Sequence, residues 1–225
     1  MSNSIMALEA REAPQRIAEQ LAANAATVQQ VVQQIRARAP KFVYMVGRGS
    51  SDHAGVFAKY LIEIELGLPV AAAAPSIASV YNKTLQLADA LVLVISQSGR
   101  SPEILAEVDM AKRSGAMVVA LVNDTASPLA EQAHFVLPLH VGAEKAVAAT
   151  KSYLATLSAI LHLVSAWADN AGLQQAVQNL PQYLQSAIDA PAQLNSTALE
   201  KVAHLVVLGR GLGYAIAREI ALKLK

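Results

Sequence analysis

Leu91-Val92-Leu93-Val94-Ile95, followed by Ser96-Gln97-Ser98-Gly99-Arg100-Ser101-Pro102-Glu103, is the stretch whose reading decides the fold. Five successive apolar residues without alternation predict a strand buried on both faces. Pro102 suits the first turn of a helix, and the helical pattern runs to Ser114, where Gly115 ends it. The unit is therefore strand, turn, helix. Outward from it the same alternation recurs. Phe42–Val46 meets Gly47-Arg48-Gly49-Ser50-Ser51, and a helix from about His53 to Leu66 stops at Gly67-Leu68-Pro69. Strands are predicted at Val70–Ala73, Met117–Val122 and Phe135–Leu139, and a small-residue helix at Ser76–Tyr81. Apolar strands separated by helices predict an α/β fold, a doubly wound parallel sheet covered on both faces.

The flanks are helical. Ile17, Leu21, Val28, Val31 and Ile35 form one stripe along Pro14–Arg38, interrupted by Asn24, and make residues 1–40 an N-terminal helical segment. Residues 41–190 form the α/β domain, closed by helices over Lys151–Asp169 and Gly172–Ile188. Pro191–Thr197 reads as a linker. After it, His204-Leu205-Val206-Val207-Leu208-Gly209-Arg210-Gly211 repeats the pattern of Phe42-Val43-Tyr44-Met45-Val46-Gly47-Arg48-Gly49. Residues 191–225 are therefore expected to be a linker and the first βα unit of a second, incomplete copy.

Bulk properties narrow the function. Of 225 residues, 54% are apolar, enough for a substantial core. Eighteen basic residues against seventeen acidic ones leave a net charge of +1, which offers no field for nucleic acid or a membrane surface. No cysteine is present, so there is neither a disulfide framework nor a thiolate nucleophile, and a cytoplasmic setting is expected. The N-terminus shows no secretory pattern. Tyr153–Ala168 carries Thr156, Ser158, His162 and Ser165 and falls short of the roughly 20 apolar residues that span a bilayer.

Several chemistries fit poorly. Gly47-Arg48-Gly49-Ser50-Ser51-Asp52 has aspartate where a dinucleotide fingerprint needs its third glycine. No P-loop motif occurs, and His53, His134, His140, His162 and His204 show no metal-ligand spacing. Ser98 lacks the first glycine of a nucleophile elbow. The Ser96–Glu103 turn, in contrast, stands where anions bind. A helix N-terminus offers unpaired N–H groups, Gly99 allows close approach, and Ser96, Ser98 and Ser101 add hydroxyls. The plainer alternative is that Ser101 only caps the helix. Ser50 and Ser51 end a second strand, and ligands in such sheets lie at strand carboxyl ends where the winding reverses. A third loop, Glu144–Lys151, has small residues able to lie against a sugar.

Arg48-Gly-Ser-Ser-Asp-His-Ala-Gly, Ile95-Ser-Gln-Ser-Gly, Val147-Ala-Ala-Thr-Lys and Ala221-Leu-Lys-Leu-Lys together resemble the sugar isomerase (SIS) family, in particular the isomerase half of the glucosamine-6-phosphate synthases. The resemblance runs from about Glu9 to Lys225. It implies an αβα sandwich of SIS type, phosphate binding by Ser96, Gln97, Ser98 and Ser101, and sugar binding by Ser50, Ser51, Val147 and Ala148. It implies a catalytic role for Lys223, with Glu219 and Glu144 in support. The family's glutamate falls directly after the Leu-Lys-Leu-Lys run, one position past Lys225, and its partner-donated histidine further on. The synthases begin with a cysteine-dependent glutaminase domain, whereas this sequence starts with the helix before the SIS domain. The expected activity is therefore degradative: glucosamine 6-phosphate to fructose 6-phosphate and ammonia. A fructosamine-6-phosphate deglycase or a non-catalytic sugar-phosphate sensor are the alternatives. No metal or organic cofactor is implied, and the expected partners are a phosphorylated amino sugar and a second copy in a homodimer.

Overall fold

Five apolar runs pair in one sheet in the computed structural model of the chain, which describes residues 4–191, 197, 199–200 and 202–225. They are β1 (Phe42–Val46), β2 (Val70–Ala72), β3 (Ala90–Ser96), β4 (Met117–Val122) and β5 (Phe135–Pro138). All four pairings are parallel, in the order β2-β1-β3-β4-β5. Side chains alternate between faces, as the two-residue period of a strand requires. Val43, Met45, Leu91, Leu93 and Ile95 enter one core, while Tyr44, Val46, Val92 and Val94 enter the other. Both faces are thus buried, which is why these strands read as continuous apolar runs.

The helices in chain order are α1 (Ile5–Arg11), α2 (Ala13–Arg38), α3 (Ser50–Leu66), α4 (Ser76–Ser79), α5 (Pro102–Arg113), α6 (Pro128–Gln132), α7 (Lys151–Trp167), α8 (Ala171–Asp189) and α9 (Leu212–Lys223). Apolar residues of α2, α3, α7 and α8 fill the first core, and those of α4, α5 and α6 the second. The N-terminal segment is therefore part of the same core as the sheet. Asn24, which interrupts its apolar stripe, donates to Pro138 O at 2.8 Å, and Gln20 bridges Leu139 O and Ala155 O. These amides tie α2 to carbonyls at the end of β5 and inside α7, which satisfies their own buried N–H groups. Among the described residues no helix is long and apolar enough to cross a membrane.

Three features depart from the expectations. First, α1 carries Ile5, Met6 and Leu8 exposed, so no apolar stripe announces it. Second, α3 begins at Ser50 rather than near His53, because Gly49 (φ 58°, ψ −128°) already turns the chain into the helix. Third, His204–Leu208 forms no strand. Among the described residues the run has no neighbouring strand to supply hydrogen bonds, and Leu208 is 87% exposed. Only the helix of that unit, α9, is formed, packed along α3. The expected linker lies largely outside the described residues.

Candidate functional site

The sheet winds in opposite directions from β1 and β3, so the crevice between their carboxyl ends is its switch point, where ligands of such folds sit. Both hydroxyl-bearing turns emerge there. After β1, Gly47 leaves no room for a side chain, since a Cβ would lie 2.9 Å from Ser51 backbone atoms. That close approach brings Ser50 and Ser51 to the start of α3. After β3, Ser96 Oγ turns back to accept from Gly99 N–H at 3.1 Å, closing the loop. Gly99 has φ 63°, and a Cβ on it would strike buried Ser127 Oγ at 2.2 Å. Its carbonyl accepts from Leu129 N–H, which fixes the turn against α6. Ser101 is the N-cap of α5, but its hydroxyl makes no cap hydrogen bond. The capping alternative accordingly does not account for it. Among the described residues, the hydroxyls of Ser51, Ser98 and Ser101 have no protein partner. Arg48 pairs with Glu103 and Arg100 with Asp124, so both nearby arginines are held by carboxylates.

Below the turns lies a cavity of about 50 Å³ lined by Ser50, Ser51, Gln97, Ala149, Ser152, Tyr153 and Thr156. It has room for a few waters, and so forms the floor of a site rather than the whole of one. Ser152 and Thr156 come from the first turns of α7. Their only sequence signal was polar residues four apart at the start of an apolar helix. A wider cavity, about 420 Å³, opens at the opposite end of the sheet beside Arg38, Lys112 and His134. There Arg38 hydrogen-bonds the carbonyls of Ala88, before β3, and Gly115, after α5, and Lys112 that of Gln132 at the end of α6, a structural use of cations.

The third loop is tied down by carboxylates. Glu144 accepts from the backbone and hydroxyl of both Thr150 and Ser152, capping α7. Burial raises its pKa, but these donors outweigh burial and hold it below the usual carboxylate value. Val147 projects fully into solvent, and Ala148 is half-buried beside it. Glu144 therefore belongs to the loop's framework, and among the described residues it shares no hydrogen-bond partner with Glu219 or Lys223.

Those two residues meet in a separate cluster where α9 packs on α3. Buried Glu219 pairs with Lys223 Nζ at 2.6 Å and accepts from Ser50 Oγ at 2.8 Å. His53 Nδ1 lies 2.7 Å from its other oxygen; since a carboxylate only accepts, that nitrogen carries the hydrogen. Burial raises the pKa of Glu219, yet Lys223, His53 and Ser50 together lower it. Tyr153, donating to Ala215 O, has its pKa raised by burial and then by the Glu219 charge. His53 was legible only as part of the Arg48–Gly55 motif; its role depends on a contact 166 residues away.

A protein-family comparison matches the SIS domain over residues 38–166. The chain belongs to the SIS-domain family. It is 35% identical over 202 residues to the isomerizing glutamine–fructose-6-phosphate aminotransferase of Symbiobacterium thermophilum, covering 84% of this chain and 32% of that protein. The chain thus spans about a third of the length of the curated relatives it matches. Among solved structures, a Silicibacter pomeroyi DSS-3 protein with the provisional name phosphosugar isomerase superposes with TM-score 0.95 at 42% identity. That match covers 99% of this chain and 68% of the other. Glucosamine-6-phosphate deaminase from Thermotoga maritima shares the fold, with TM-score 0.73 at 21% identity, over 98% of this chain and 66% of the other.

Proposed function

We propose that the switch-point crevice of this SIS domain binds a phosphorylated amino sugar. The observation that carries this is the set of unpartnered hydroxyls of Ser51, Ser98 and Ser101 on two turns sharing one cavity floor. The phosphate is assigned to Ser98, Ser101, Gln97 and the free N–H groups at the start of α5, with Ser96 shaping the turn. Each hydrogen bond to a charged group contributes about 1.5–3 kcal/mol, so a few such donors hold a phosphate without a lysine. The sugar is assigned to Ser50, Ser51 and the Val147–Ala148 backbone.

The proposed reaction is an isomerising deamination of glucosamine 6-phosphate. Ring opening exposes the C1 aldehyde; a proton moves from C2 to C1 while the amine nitrogen gives up a proton and O1 gains one, which leaves a C1 hydroxymethyl group and a C2 imine. Water then hydrolyses the resulting C2 imine, giving fructose 6-phosphate and ammonia. The proton transfers call for a positioned acid and base. Lys223 and Glu219 supply one such pair beside Ser50, while Glu144 sets the loop. The deaminase and isomerase names among the structural neighbours support this class of reaction. A coupled assay for ammonia and fructose 6-phosphate tests it, run on the gene product that contains this domain. Stoichiometric release of both is expected. Ammonia-free binding of the sugar phosphate, or release of glucose 6-phosphate from a fructosamine substrate, overturns the deaminase reading.

A further inference from the structure

The loop over residues 142–150 has no regular secondary structure, yet three carboxylates from different places grip it. Glu144 holds its exit, where α7 starts. Glu12, between α1 and α2, pairs at 2.8 Å with Lys151, whose side chain is 3% exposed. Glu9, on α1 and only 6% exposed, accepts from two successive backbone N–H groups, Lys145 at 2.6 Å and Ala146 at 3.1 Å. Between these anchors stand Val147, Ala148 and Ala149. Among the described residues, their three consecutive N–H groups have no protein acceptor.

A loop left to itself loses conformational freedom on binding, and that cost subtracts from affinity. Glu9 spends a buried charge on backbone amides far away in sequence, and α1 exposes most of its apolar side chains. Burial of α1 in a core therefore does not explain the helix, whereas its grip on this loop does. We propose that Glu9 is a positioning residue for the sugar: α1 acts as a latch that presets the Val147–Ala149 amides for the ligand's hydroxyls. Phosphate binding at the Ser96–Ser101 turn is independent of the latch. The proposal rests on the phosphosugar reading above.

The test compares the whole chain with Glu9→Gln, which removes the charge while keeping size, and Glu9→Asp, which keeps the charge with shorter reach. Affinities for fructose 6-phosphate and for inorganic phosphate are measured by calorimetry, and amide exchange over 143–150 by mass spectrometry. If the latched loop drops to about a tenth of its population, Glu9→Gln weakens fructose 6-phosphate about tenfold. Phosphate affinity stays within about twofold, exchange at Lys145 and Ala146 accelerates, and Glu9→Asp recovers part of the loss. Equal weakening of both ligands overturns the proposal, as does unchanged exchange in the loop. Should Glu9→Gln unfold, the Glu9→Asp arm decides by the same two readouts. If the parent chain binds no fructose 6-phosphate at all, the phosphosugar reading fails, and the exchange arm alone then judges the latch.

Discussion

Two Gly-Arg-Gly turns, 47–49 and 209–211, have nearly the same backbone and very different surroundings. Gly49 and Gly211 both precede a helix at φ 58°, with ψ −128° and −141°. Gly47 and Gly209 both pack against the backbone four residues on, leaving 2.9 and 2.6 Å for a Cβ. The run before the first turn is a central buried strand, whereas the run before the second is exposed and unpaired. The turn is encoded locally, in glycines that permit close approach and positive φ. The strand is not, because its hydrogen bonds belong to its neighbours.

The largest effect that would break the comparison is expected at Gly47. In Gly47→Ala the new Cβ meets Ser51 backbone inside the sheet domain, and nothing flexible can yield. The unfolding free energy should fall by about 3 kcal/mol in urea titrations. Gly209→Ala clashes as badly with Gly213 O, but only α9 depends on that turn. It should lower global stability by about 1 kcal/mol or less, while proteolysis between α8 and α9 accelerates. Equal losses for the two variants would show that α9 is as integral as β1.

The two regions also differ in their buried acids. Glu219, which fastens α9 to α3, has a lowered pKa, so its stabilisation is present above the unfolded carboxylate value and is lost as pH falls through the folded one. Glu219→Gln should detach α9, costing about 2 kcal/mol in that contact, and should abolish acid-induced release of α9 followed by proteolysis. Glu107, under β1, has one oxygen accepting from Tyr44 at 2.6 Å and the other buried without a partner. Burial raises its pKa, with the Tyr44 bond opposing. Its contribution is therefore intact at low pH and lost as pH rises through the folded value. The smallest effect follows: the urea midpoint declines as pH rises above the ordinary carboxylate value towards the raised folded one, and Glu107→Gln flattens that decline.

The sheet was legible because β1, β3 and β4 are buried almost throughout and all five strands are apolar runs between turn signals, which located them to within about a residue at their ends. The Ser96–Ser101 turn was legible for a related reason. Its glycine, its hydroxyls and Pro102 are adjacent in the chain, and the chemistry of a helix N-terminus depends on local order. Glu9, His53 and Glu219 were harder. Each acts through a partner more than a hundred residues away, which periodicity cannot reveal. His204–Leu208 matches β1 in pattern, but pattern alone could not say whether a neighbouring strand would pair with it. Glu144 was expected from the resemblance alone to support catalysis; its hydrogen bonds, which could not be read from the sequence, tie it to the start of α7.

The central claim is that a sugar phosphate binds across the carboxyl ends of β1 and β3, phosphate against the Ser96–Ser101 turn. A crystal structure of the chain with glucosamine 6-phosphate tests it most directly. The phosphate is predicted to lie within hydrogen-bonding distance of Ser98 Oγ and Ser101 Oγ, with the sugar toward Ser51 and Val147. A phosphate seated instead by Arg38 and Lys112, at the opposite end of the sheet, would contradict the account.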